Sequence, residues 1–171
     1  IMGKGRLEAF SDGVIAILIT IMVLEMKVPH GDDLAALETV LPVFVSYILS
    51  FIYIGIYWNN HHHLFHVAQR INGKIMWANI HLLFWLSLMP FATGWMGENH
   101  FSTWPVALYG VVSFMAGLAY YLLARALVAI NGNDSVLGSD RGQDWKGKRS
   151  MVGYGAGMGL SMFKSWRGLE L

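Results

Sequence analysis

Apolar and polar residues alternate in long blocks along this 171-residue chain, and the blocks predict helices rather than strands. The first apolar block, R-L-E-A-F-S-D-G-V-I-A-I-L-I-T-I-M-V-L, predicts a helix over about residues 6–26. Further blocks predict helices over about 42–66, 75–96 and 105–130, and a shorter, glycine-rich one over about 150–166. At about 1.5 Å per residue, roughly 20 apolar residues cross the hydrocarbon of a bilayer, so each long block is a candidate span. The fold class read from this pattern is an all-α membrane protein with five visible apolar spans, residues 1–171 forming one transmembrane helical domain. Between the blocks, Pro29 and Gly31 mark a loop, and Asp33 is a candidate N-cap for a helix starting at Leu34. Pro105 suits a first helical turn, and Trp95 and Trp104 flank the turn before it as an interfacial belt would.

The phase of the first block adds a second expectation. Gly13, Ile17, Thr20 and Leu24 recur at i, i+4, i+7 and i+11 and form one narrow face. Ile15, Leu18, Ile19, Met22 and Val23 occupy the others. Such a stripe suits the axis of a homo-oligomeric bundle or a close helix–helix seam, and on periodicity alone the seam is the commoner arrangement. Within the same block, Asp12 places a carboxylate that needs a partner or a wet cavity.

Composition narrows the classes. The chain is 55% hydrophobic and 13% charged, where a soluble domain carries about 25% charged residues. It has no cysteine, which excludes a disulfide framework and a thiolate nucleophile. A net charge of +1 offers no electrostatic case for nucleic acid. The first block carries an acidic residue and lacks a small-x-small cleavage site, so it does not read as a cleavable signal peptide. Basic residues (Lys4, Arg6, Arg70, Lys74, Arg125, Arg141, Lys146, Lys148, Arg149) and acidic ones (Asp32, Asp33, Glu38, Glu98) fall in alternate loops. Basic loops stay inside, so the expectation is a multi-pass protein of the cell membrane with a cytoplasmic N-terminus.

Several constellations carry chemistry. Arg6, Glu8 and Asp12 fall at the same expected inner level as the stretch 59–66 and as Asn79 and His81. Ser11 and Asp12 therefore have polar partners available from neighbouring helices, which reads as a satisfied buried network that fixes helix packing; functionally, it would set the position of the Gly13–Leu24 stripe. His61, His62, His63 and His66 suggest a metal site, because His62 and His66 share a helical face. No H-E-x-x-H pattern or adjacent carboxylate accompanies them, so an interfacial, hydrogen-bonded cap is favoured and no metal is expected. Met151-Val152-Gly153-Tyr154-Gly155 mimics a carbonyl-lined filter, but Met stands where the filter motif needs a Thr hydroxyl and a charged loop precedes it. The match is therefore set aside. The alternation of Gly153, Gly155, Gly157 and Gly159 has no firm explanation.

Arg6-x-x-x-Phe10-Ser11-Asp12-Gly13, continuing through Ile17, Thr20 and Leu24-Glu25, resembles the bacterial branch of the lysosomal and endosomal transmembrane potassium channels. Weaker matches extend the likeness: Tyr57-Trp58 with His61 or His62, Asn79, Pro90-Phe91, and the stretch from Asp144 to Lys148. The resemblance implies a potassium-selective channel without a T-V-G-Y-G filter, six crossings per subunit, and a homotetramer whose first helix lines the pore. Five crossings are visible here, so the sixth is expected to be missing or only begun. Carried over by position, Ile17, Thr20 and Leu24 line the pore, with Gly13 the small residue on that face. The aliphatic residues would form a hydrophobic constriction, Thr20 would offer oxygens to a partly dehydrated ion, and Arg6, Ser11 and Asp12 would form an inner polar network with Trp58, His62, Asn79 and His81. No catalytic residue and no cofactor are implied, only permeant K⁺ and the lipid bilayer. Two rival functions differ in class: a metal-dependent membrane enzyme built on the histidines, and a packing or assembly subunit whose first helix is only a seam.

Overall fold

The computed structural model describes residues 3–132. Within them lie α1 (Lys4–Leu24), α2 (Leu34–Glu38), α3 (Leu41–Val67), α4 (Gly73–Ser87), α5 (Met89–Glu98) and α6 (Thr103–Asn131). The fifth expected span, the M-V-G-Y-G stretch and the alternating glycines lie outside the described residues. Four helical runs are long and apolar enough to cross a membrane: α1, α3, α4 with α5, and α6. At about 1.5 Å per residue, each is about 30 Å long or more.

Local chemistry sets the boundaries. Asp33 caps α2, accepting a hydrogen bond from the Ala36 amide at 3.0 Å, and Asn72 caps α4 through the Ile75 amide at 3.1 Å. The third expected span is two helices rather than one. Pro90 has no amide to donate to the carbonyl four residues back, and its ring crowds that carbonyl. The ladder therefore stops at Leu88, whose amide turns back to Trp85 at 3.3 Å, and restarts with Pro90 in the first turn of α5. This break is buried, with Leu86 and Met89 fully enclosed.

The broken α4–α5 run is the centre of the bundle. Its α4 half lies along α6, and its α5 half packs against α3 and α6. Helix α1 leans on α3, α4 and α5 from one side. Leu82, Leu86, Met89, Ile54, Phe65, Leu123 and Leu127 fill the interior. Helices α3 and α5 approach closely where Gly97 faces α3: a Cβ there would lie 2.7 Å from the Val43 Cα. Hydroxyls tie α3 to both neighbours: the Ser50 and Thr93 oxygens of α3 and α5 lie 2.6 Å apart, and the Tyr53 hydroxyl donates to the Ser113 carbonyl of α6 at 2.7 Å.

Side-chain contacts sort the helix ends into two levels. At the N-terminal end, the Lys4 ammonium donates to the His66 carbonyl at 3.2 Å. Asn131, closing α6, accepts from the Gln69 and Arg70 amides, both at 2.9 Å, and donates back to the Arg70 carbonyl at 3.2 Å. This clamp ties the α3–α4 turn to the end of α6. At the opposite end, the Lys27 ammonium meets a Glu98 carboxylate oxygen at 3.1 Å.

Candidate ion pathway and its polar support

Helix α1 divides into two stripes by phase. Leu7, Ser11, Ile15, Leu18 and Met22 are buried against the other helices. Gly13, Ile17, Thr20 and Leu24 are that series from Ser11 onward displaced by two residues, about 200° around a helix with 3.6 residues per turn. They consequently face away from the bundle: Ile17 is 56% and Leu24 80% exposed, and Gly13 and Thr20 are exposed as well. Among the described residues, this stripe is not packed against another helix. The Thr20 hydroxyl donates to its own helix, at the Ile17 carbonyl 2.9 Å away. Its proton is thereby occupied, and its oxygen lone pairs are what the side chain can still offer.

Behind this face the polar residues form two connected groups. In the buried one, the Ser11 hydroxyl donates to the Leu7 carbonyl at 2.8 Å and accepts from the Asn79 amide nitrogen at 2.8 Å. The Asn79 oxygen then faces His61 Nε2 at 2.7 Å. Because Ser11 uses its only proton on Leu7, Asn79 must point its nitrogen toward Ser11, which makes His61 Nε2 the protonated donor. Asn79 and Ser11 are fully enclosed and His61 is 1% exposed. The chain α1–α4–α3 is thus joined by three side chains with every member satisfied.

The second group is partly exposed. Trp58 Nε1 donates to an Asp12 carboxylate oxygen at 3.1 Å. The Trp58 ring stacks on His62 at 6.1 Å, and His62 stacks on His66 at 6.1 Å. Asp12 therefore has its required partner on α3. Of the remaining expected members, His81 accepts from Trp85 Nε1 at 2.9 Å within α4, and Arg6 is exposed. His81 and Arg6 join neither group in the described residues of one subunit.

Of the two histidines the resemblance offers on α3, it is His61 and not the expected network member His62 that links α3 to Asn79. Helical phase could have found it: Tyr53, Tyr57 and His61 repeat every four residues, and His61 continues the buried positions Ser46, Ser50, Tyr53 and Ile54. The histidine run itself splits, His61 inward and His62, His63 and His66 outward. Among the described residues, no group of three or more His, Cys, Asp or Glu side chains could hold a metal ion.

Comparison with known proteins bears on this arrangement. The profile of the family described as endosomal/lysosomal potassium channel TMEM175 matches residues 6–90. A protein named as a potassium channel from Chryseobacterium sp. (strain P1-3) is 54% identical over 162 residues, covering 95% of this chain and 84% of that protein. The chain belongs to the TMEM175 family. A second relative of that name, from Streptomyces collinus, is 36% identical over 128 residues, covering 70% of this chain and 62% of its own length. A solved TMEM175 homolog from Chamaesiphon minutus, described as a lysosomal potassium-selective channel, superposes with a TM-score of 0.69 at 25% identity. It covers 94% of this chain and 83% of that one. The family match runs from Arg6 to Pro90, so it takes in both α1 stripes and both polar groups.

Proposed function

We propose that this chain is the subunit of a potassium-conducting channel of the cell membrane, with four copies placing the exposed stripe of α1 around a common axis. The observation that carries the reading is the division of α1: one stripe is fully used in packing, and the displaced stripe of Gly13, Ile17, Thr20 and Leu24 is presented outward. The names of its relatives support K⁺ as the permeant ion.

Four such faces make stacked rings. Rings of Ile17 and Leu24 close the axis by dewetting, since a narrow apolar constriction holds water poorly. A ring of Thr20 oxygens supplies dipoles without fixed charge, so a partly dehydrated ion binds weakly enough to leave. Gly13 widens the passage one turn before Ile17. The Ser11–Asn79–His61 chain and the Asp12–Trp58 bond act behind the pore face as positioning groups, holding α1 in the rotation that presents the stripe. The N-terminal end of the bundle, with Lys4, Arg6, Arg70 and Lys74, lies on the cytoplasmic side under the positive-inside rule.

The test is potassium flux into proteoliposomes beside a measured oligomer mass. A tetramer that passes K⁺, and an Ile17→Asn variant that leaks more because its ring is wetted, are the expected results. A monomer without flux, or an Ile17→Asn variant at wild-type flux, would remove α1 from the pathway.

A further inference from the structure

At the end of the bundle opposite the N-terminus, a cavity of about 290 Å³ opens between α1, α3 and α5. Half of the residues lining it lie beyond the Pro90 boundary of the family match, and none belongs to the Gly13–Leu24 stripe. Its volume sits at the lower edge of the about 300–1,000 Å³ typical of small-molecule sites, so it admits only a small ligand. Three aromatic rings line it: Tyr47 from α3, and Phe91 with Trp95 from α5. Phe91 and Trp95 are one helical turn apart, with ring centroids 6.5 Å apart and planes 22° apart.

Two carboxylates also line the cavity, Glu25 just beyond α1 and Glu98 at the end of α5. A Cβ at Gly94 would lie 3.3 Å from a Glu25 carboxylate oxygen, so the absence of a side chain there leaves room for that carboxylate beside the rings. The Glu25 carboxylate makes no hydrogen bond or ion pair among the described residues, while its backbone amide closes α1 on the Ile21 carbonyl at 3.1 Å. Glu98 is met by the Lys27 ammonium, which is 86% exposed and does not line the cavity. The cavity thus combines aromatic faces, which attract cations through their quadrupoles, with carboxylates only partly neutralised.

We propose that this cavity binds a small alkylammonium group, its cation against Trp95 and Tyr47 and its charge balanced by Glu25 and Glu98. An apolar ligand would leave the two exposed carboxylates unused, and an anion would be repelled by them. A bare alkali ion would not use the rings as fully as an alkylated, weakly hydrated ammonium does. The group can come from a free amine or from an ethanolamine lipid headgroup. An occupant would touch Met22 and Glu25 on the bundle side of α1, one turn or less from Leu24, and so bears on the end of the pore-facing helix.

The probe is tetramethylammonium, with saturation-transfer NMR on the intact protein in maltoside micelles. The wild type should transfer saturation to the probe's methyls, and Trp95→Leu and Glu98→Gln should each weaken binding by about tenfold. Added phosphatidylethanolamine that displaces the probe, where phosphatidylglycerol does not, would assign the site to a lipid headgroup. Failure of both lipids to displace it would assign it to a free amine. No transfer in the wild type, or equal transfer in both variants, would overturn the proposal. This readout does not use ion flux, so its failure is separable from failure of the channel reading.

Discussion

Replacing Asn79 by Ala is the sharpest test of how α1 is held. Asn79 is fully buried and makes two side-chain bonds, at 2.8 Å to Ser11 and at 2.7 Å to His61. Each interhelical bond of this kind in a membrane protein is worth about 0.6 kcal/mol on average. The larger effect is on what remains. Ser11 keeps its bond to Leu7, but His61, 1% exposed, is left with an Nε2–H aimed at a cavity. An orphaned buried donor costs about 1–3 kcal/mol. Asn79→Ala should therefore destabilise the protein by about 2–4 kcal/mol; Ser11→Ala leaves His61 paired but orphans the buried Asn79 N–H, and should cost about 1.5–3.5 kcal/mol. Unfolding by dodecyl sulfate in maltoside micelles, followed by circular dichroism, reads both. The double variant Ser11→Ala with Asn79→Ala should show coupling, because the Ser11–Asn79 bond is lost only once. Asn79→Ala within about 0.5 kcal/mol of wild type, or strictly additive effects, would refute the linkage of α1 to α3 through α4.

Other expectations are equally direct. In the proposed tetramer Thr20→Ala would remove a ring of hydroxyl oxygens without adding charge, so the preference for K⁺ over Na⁺ should fall; an unchanged bi-ionic reversal potential would sink that role. Gly97→Ala forces a methyl to within 2.7 Å of the Val43 backbone. It should destabilise by about 1–3 kcal/mol as α3 and α5 are pushed apart, measured by the same unfolding assay. Lys27→Ala should change stability by less than about 1 kcal/mol, because its ion pair is exposed and solvent-screened. A larger loss would show that the pair does more than the geometry allows.

Helices α1, α3 and α6 and the cap at Asp33 were legible because each rests on local chemistry: an apolar run of sufficient length, or a carboxylate three residues before an amide. The division of α1 into two stripes was also legible, since helical phase alone separates Ile17 from Ile15. Which stripe packs inward was not, because both are apolar and the choice is made by what the other helices present. The same limit explains His61 and His62. Adjacent histidines are chemically identical in the sequence, and only the rotation of α3 against α4 puts one beside Asn79 and the other over Trp58. The break at Leu88 lies between, signalled by Pro90 but realised as two helices because each half packs against a different neighbour.

The sequence by itself therefore determined the class of molecule, the lengths of its described spans and the spacing of the two α1 stripes. Those properties follow from hydropathy, spacing and side-chain chemistry, which travel with the residues. The tertiary structure alone decided which face of α1 is left open, which histidine completes the buried chain, and where an acidic, aromatic-walled cavity forms. Those depend on groups far apart in the chain being brought within a few ångströms, and no local pattern encodes that meeting.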